Sequence, residues 1–234
     1  MNKEQYEKRN NELKALWGSL KKPEDIGFVW DGIIDYDKWI SYDLKLAFML
    51  REAYSEKDGE WDFAEGYNEA KGRFYIGGRG QQATFNRIEE WSYALDCAMH
   101  QREKPMREEV ALKDYEASRK IMLASAYLNL KKIGGRSSSN IGELRAIANR
   151  DKELLLQQLK LISPNIILFC ATYGDVLKNI LFEGAIKIPE TERCYESEGI
   201  LLIDFFHPTR AYKGSFDFLF DDVSKIKNKA KYLK

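Results

Sequence analysis

Cysteine is scarce in this chain, and histidine is scarcer. The three cysteines, Cys97, Cys170 and Cys194, lie far apart, and no CxxC pair exists. An odd count at such spacing argues against a disulfide framework and for a reducing compartment. It also leaves no ligand set for zinc or an iron–sulfur cluster, so we expect neither a metal nor any other cofactor. No apolar run approaches the ~18 residues that a membrane span needs. The opening Met-Asn-Lys-Glu-Gln-Tyr-Glu-Lys is charged and lacks the apolar core of a signal peptide. Neither sign of charge is in excess, with 37 basic and 37 acidic residues. Whole-chain charge therefore does not announce a nucleic-acid binder, and any such surface must be a local patch. These absences predict a cytoplasmic protein with no membrane partner, and we expect a monomer.

What is present suits one folded domain. The chain has 234 residues, 44% of them hydrophobic and 13% aromatic. That is long enough for a single α/β domain over residues 1–234 with a real core, and too aromatic for disorder. The first ~20 residues read as a helix, because Tyr6, Leu13, Leu16, Trp17 and Leu20 share a face. With the aromatic segment Phe28–Ile34 and its Asp31-Gly32 turn, residues 1–40 read as an extension packed on the domain.

Four apolar runs read as buried strands: Leu44–Leu50, Ala124–Leu130, Asn165–Cys170 and Ile200–Phe206. Between them lie helical spacings at Phe85–Ala98, Lys113–Met122 and Leu155–Ile162, the last expected to start at Asp151. The basic tail, Lys225–Lys234, also reads as helical. Strands alternating with helices imply βα units and a sheet covered on both faces. The expected architecture is three-layer α/β/α around a central, mostly parallel, four-stranded sheet. Residues 55–82 read as a long loop holding six of the 16 glycines, and loops of that length are usually functional.

The last strand carries the most informative feature. Leu201-Leu202-Ile203-Asp204-Phe205-Phe206 runs straight into His207-Pro208, one of only two histidines. Proline has no N–H for the sheet and fixes its own φ, so the chain must turn there. In open α/β sheets, ligands bind at the carboxyl ends of the strands. Glu52, Asn129, Thr172 and His207 all fall at or near such ends, and a parallel sheet brings them to one crevice. Taken singly, each has a plain alternative: Glu52 a surface carboxylate, Asn129 a backbone partner, Thr172 a helix N-cap, His207 a turn cap. Lys131 and Lys132 are likewise ordinary solvated charges on their own.

The order of these segments resembles the uracil-DNA glycosylase superfamily, most closely the thermophile-type branch whose first motif is Gly-Glu-Ala-Pro-Gly. Here that motif is Arg51-Glu52-Ala53-Tyr54-Ser55. The family's Gly-Arg-Pro-Phe-Val-Gly loop is similar to Gly72-Arg73-Phe74-Tyr75-Ile76-Gly77, and its Asn-bearing strand to Leu128-Asn129-Leu130-Lys131. A helix–Pro–strand stretch matches Leu155–Ala171 with Pro164 in register, and the closing His-Pro-Ser matches His207-Pro208-Thr209. The matches run in family order from about residue 44 to 212. Both glycines and the proline of the first motif are absent, and the iron–sulfur cysteines have no counterparts. Both departures mark a divergent member.

The resemblance implies hydrolysis of an N-glycosidic bond in DNA, with uracil or another deaminated base flipped from the duplex. Glu52 then stabilises the oxocarbenium-like sugar and orients water. His207, neutral, donates to the departing base. Asn129 reads the base edge, and Tyr75 or Phe74 stacks on it. Arg210 and Thr209 contact the backbone or wedge the duplex, and Lys131 and Lys132 contact phosphates. The alternative is a non-catalytic protein that keeps the fold to bind a nucleotide or nucleic acid. A metal-dependent hydrolase ranks last, because no carboxylate cluster has ligand spacing.

Overall fold

The computed structural model describes residues 1–21, 27–54, 60–64, 67–68, 73–74, 79–110, 115–135, 139–174 and 180–233. In chain order, α1 (Lys3–Ser19) leads to β1 (Phe28–Trp30), α2 (Tyr36–Ser41) and β2 (Leu46–Tyr54). Three short strands follow, β3 (Glu60–Asp62), β4 (Tyr67–Asn68) and β5 (Arg73–Phe74). Then come α3 (Arg79–Met99), α4 (Arg107–Val110), α5 (Tyr115–Leu123) and β6 (Ala126–Gly135). The second half holds α6 (Ile141–Arg150), α7 (Lys152–Ile162), β7 (Ile166–Cys170), β8 (Ile186–Lys187), β9 (Cys194–Ser197), β10 (Ile200–Phe205) and α8 (Ser215–Ser224).

Local chemistry sets several of these boundaries. Asn2 and Gln5 form a reciprocal capping box that starts α1. Asn140 accepts from the Glu143 N–H and starts α6. Ser163 ends α7 in the left-handed conformation, and Pro164 keeps the helix from resuming. Asp151, expected to cap α7, makes no side-chain cap bond. Its carboxylate instead takes two hydrogen bonds from Arg150, at 2.7 and 2.8 Å. In the tail, only Lys229–Tyr232 coils, as a short 3-10 turn.

The fold is α/β, but the sheet is mixed and eight-stranded, in the order β3-β1-β6-β2-β7-β10-β9-β8. The expectation of four strands is therefore corrected. The four apolar runs form its centre, where β6, β2, β7 and β10 are mutually parallel neighbours. The additions come from segments too short or too irregular to show strand periodicity. Phe28–Trp30 lies antiparallel to β6, β3 runs parallel to β1, and the β8–β9 hairpin adds antiparallel strands beyond β10. Residues 1–40 thus supply a strand of the sheet itself, as well as α1 beside it.

Side-chain alternation divides the core in two. Leu46, Phe48 and Leu50 of β2, with Ile166, Leu168 and Cys170 of β7, pack under α3, α5 and α8. Their neighbours Ala47, Met49, Ile167 and Phe169 face α1, α6 and α7. Helices cover both faces, giving three layers. Trp91 shows the depth of the first core: it is fully buried, and its indole N–H still finds Ser215 Oγ at 3.2 Å.

The strand order reverses at β2. The chain leaves β2 over the α3/α5 face to reach β6 on one side. It then returns over the α6/α7 face to reach β7 on the other. The gap between the carboxyl ends of β2 and β7 is the switch point where open α/β sheets bind ligands.

Candidate functional site at the carboxyl edge of the sheet

Arg51 spans that gap. It is the sixth residue of β2, and its Nε and Nη2 donate to the carbonyl of Ala171, at 3.2 and 3.1 Å. Ala171 directly follows β7 and has a left-handed backbone, φ +58°. For a residue with a Cβ that conformation is strained, and such strain persists only where the surroundings over-determine it. Here they do. The Ala171 N–H donates to the Phe205 carbonyl at 2.8 Å, and the next hydroxyl, Thr172 Oγ1, donates to the Met49 carbonyl at 3.1 Å. The ends of β2, β7 and β10 are thereby laced together at one point. Thr172 is wholly buried in this lacing.

His207 lies two residues beyond Phe205. Its Nδ1 is 2.8 Å from Thr209 Oγ1, and its carbonyl accepts the Arg210 N–H at 3.0 Å. Pro208–Arg210 form the short turn that the proline imposes. Burial pushes the imidazole pKa down to about 4, and the charges of Arg51 and Arg210 push the same way. His207 is therefore neutral at pH 7, with one N–H to donate and one lone pair to accept. Thr209 and Arg210 are exposed on the turn.

Glu52 sits in a second cluster. Its side chain is only 7% exposed and meets Lys131 Nζ at 3.1 Å, across the β2–β6 pair. Lys131 also reaches Glu143 Oε1 of α6 at 2.7 Å. Burial works against the Lys131 charge, but Glu143 and Glu52 outweigh it and hold its pKa above the ordinary lysine value. No hydrogen bond or ion pair joins Glu52 to His207 among the described residues. The lysine assigned to phosphate by sequence thus serves first as the partner of the candidate carboxylate.

Two other expectations are corrected. Asn129 is buried, and both its backbone N–H and its Nδ2 donate to Asp31 Oδ2, at 2.6 and 3.0 Å. Lys132 is buried as well, with Nζ 2.5 Å from Asp31 Oδ1 and lying over the rings of Trp17 and Trp30. Gln158 of α7 completes the group, donating to both the carbonyl and the carboxylate of Asp31. Burial pulls the Lys132 ammonium below the ordinary lysine value, against the pull of Asp31. A base edge cannot be read by an amide already committed to a carboxylate. Nor can a phosphate be reached by an ammonium sealed under two indoles. Both residues hold β1 and α1 onto β6.

Tyr75 lies outside the described residues, and Phe74 is placed only by its backbone, in β5. The other histidine, His100, is at the opposite end of the sheet, between Asp43 and Asp96. Sequence reasoning missed Asp31, Ala171 and the role of Arg51. Asp31 was visible only as half of an Asp-Gly turn, whereas Arg51 stood beside Glu52 at a strand end and was the one readable signal. Among the described residues no group of three metal-ligating side chains occurs, and no helix is long and apolar enough to cross a membrane. Compared with known protein families and with characterised proteins, the chain matches none.

Proposed function

We propose that this chain is a uracil-DNA glycosylase-like protein that hydrolyses the N-glycosidic bond of a flipped uracil or other deaminated base in DNA. The observation that carries the reading is His207: a neutral imidazole at the end of β10, braced by a hydroxyl on Nδ1. In this reading the Thr209 hydroxyl donates to Nδ1, so the ring proton sits on Nε2. That N–H then donates to the oxygen of the departing base as negative charge develops there. Glu52, paired with Lys131 Nζ at 3.1 Å, stabilises positive charge on the sugar and orients water. The parallel centre β6-β2-β7-β10 and the resemblance of its motifs to the superfamily support the same fold assignment. In this reading Arg210 and Thr209, exposed beside His207, contact the DNA backbone.

One observation favours the second reading, a non-catalytic protein that binds a nucleotide or nucleic acid. Arg51 fills the position where the family motif keeps a glycine, and its guanidinium crosses the gap. Glycine there lets backbone approach a ligand closely, which arginine does not.

A strand-cleavage assay separates the two. Labelled oligonucleotides carrying uracil, hypoxanthine, xanthine or thymine opposite guanine are incubated with the protein at low salt, then treated with alkali. Cleavage at one lesion, abolished by His207→Ala in a folded protein, establishes the glycosylase and names its base. Absence of cleavage at every lesion rejects it in favour of binding alone.

A further inference from the structure

We infer that the outer face of α1, with the groove beside it, docks a second copy of this chain across a two-fold axis that sets α1 antiparallel to its mate. This departs from the monomer expected from sequence. It is independent of the proposed reaction. The groove lies on the α1/α7 side of the sheet, whereas the turn carrying His207 packs against α3 on the other.

Helix α1 buries one face and leaves an apolar edge uncovered. Tyr6, Leu13 and Trp17 are buried in the core. Next to them Leu16 is 50% exposed and Leu20 41%, and Met1, just ahead of the helix, is 56% exposed. Three of the seven large apolar side chains exposed among the described residues thus gather along one helix, whereas scattered single exposures would need no explanation. Beside them an open groove of about 530 Å³ runs between α1 and α7. Arg9, Glu12 and Leu16 line one side of it, and Lys160 and Leu161 the other. Arg9, Glu12 and Lys160 make no ion pair among the described residues.

The charges on this face fit a second copy better than any partner of one charge sign. Gln5, Arg9, Glu12 and Leu16 are spaced four, three and four apart, the intervals that keep side chains on one seam of a helix pair. That spacing reads the same in both directions. With the two-fold axis midway between Arg9 and Glu12, antiparallel helices bring Arg9 of each copy against Glu12 of the other. Each Glu12 then enters a groove that holds both Arg9 and Lys160. The same register sets Leu20 of one copy opposite Met1 of the other, so exposed apolar groups meet at both ends. An isologous interface requires this reciprocity, in which residue i meets j and j meets i. A purely acidic helix would face Glu12, and a purely basic one would face Arg9 and Lys160. The 17-residue helix is about 25 Å long, which makes the interface small and its formation reversible.

The test is sedimentation equilibrium of the intact chain. Over about 1–200 μM protein, the mean mass should rise from monomer towards dimer, with a Kd in the micromolar range of a small interface. Leu16→Lys changes an exposed position, so circular dichroism and Tm should stay those of wild type while association weakens about tenfold or more. Arg9→Glu and Glu12→Arg each set like charges against one another and should each weaken self-association. Mixing these two variants is the sharper experiment. Each supplies the charge that the other lacks, so the mixture should form a heterodimer about as stable as the wild-type dimer. A folded wild type that stays monomeric at every concentration overturns the inference and leaves the groove to a helix of another protein. Dimers that survive Leu16→Lys, or charge variants that do not recover on mixing, place the interface elsewhere and overturn it as well.

Discussion

Lys132 Nζ lies 2.5 Å from Asp31 Oδ1, and both side chains are essentially out of water. Asp31 also takes the Asn129 backbone and amide and the Gln158 amide, so one carboxylate joins β1, β6 and α7. Breaking a buried pair by removing one partner strands the other charge, at about 3–5 kcal/mol. We expect Lys132→Met to destabilise the fold by that order in urea unfolding. Asp31→Asn combined with Lys132→Met should cost clearly less than the sum of the two single changes. Additive losses would mean that the pair is not coupled. If the chain binds DNA as proposed, Lys132→Met at matched stability should leave the salt dependence of that binding unchanged, since a buried ammonium releases no counterion.

His207 sets an acid limit on stability. Its folded pKa, about 4, lies below the ordinary histidine value of roughly 6.5. The unfolded chain therefore takes up this proton first as pH falls. The stabilisation is fully present above about pH 6.5 and is lost on going down towards pH 4. At this half-buried position solvent screening leaves a loss on the order of 1–2 kcal/mol. Because carboxylates titrate in the same window, the measurement is a difference: wild type against His207→Asn, unfolded in urea at pH 7 and pH 4.5. The gap between the two proteins should narrow in acid or change sign. A gap independent of pH, or a ring titrating near 6.5 by NMR, would contradict the buried, cation-flanked histidine.

Ala171 offers an unusual sign. Replacing alanine by glycine normally costs stability through the entropy of the unfolded chain. At φ +58° the Cβ is itself unfavourable, by about 1–2 kcal/mol. Ala171→Gly should thus be neutral or stabilising by up to about 1 kcal/mol, a rise of a few degrees in Tm. A clear loss of stability would show that the left-handed backbone is relaxed rather than strained. If the strain holds the carbonyl towards Arg51, the same variant should weaken ligand binding while strengthening the fold.

The sequence made the centre of the sheet legible and its margins obscure, for physical reasons. Strands buried on both faces are continuous apolar runs, so β2, β6, β7 and β10 could be read directly. Phe28–Trp30 is equally buried, but three residues carry no periodicity, and β9 and the edge strand β8 are short and largely polar. The site was half legible in the same way. A strand end followed by proline identified His207, and position alone put Glu52 near a strand end. Asn129 and Lys132 carry the chemistry expected of them, but their partner, Asp31, is 98 residues away from Asn129 in sequence. Only tertiary structure shows that Asp31 has already claimed them. Arg51 was hidden differently: a long cation beside the candidate carboxylate reads as solvated charge until the carbonyl it grips is seen.

Glu52 and Lys131 test the chemistry most directly. If Glu52 stabilises charge on the sugar, Glu52→Gln keeps the shape and removes the charge. Losses from removing one such electrostatic group are typically 10²–10³-fold in rate. Lys131→Met should lose less, about tenfold. It acts through Glu52 by fixing the carboxylate in place, and its other partner, Glu143, is exposed. The pair belongs to one unit, so the double variant should lose little more than Glu52→Gln alone. Both variants should bind uncleaved DNA within a few-fold of wild type, since neither side chain is exposed enough to carry a phosphate. A Lys131→Met protein that cleaves normally but binds weakly would return this lysine to the DNA backbone. A Glu52→Gln protein of full activity would remove Glu52 from the reaction altogether.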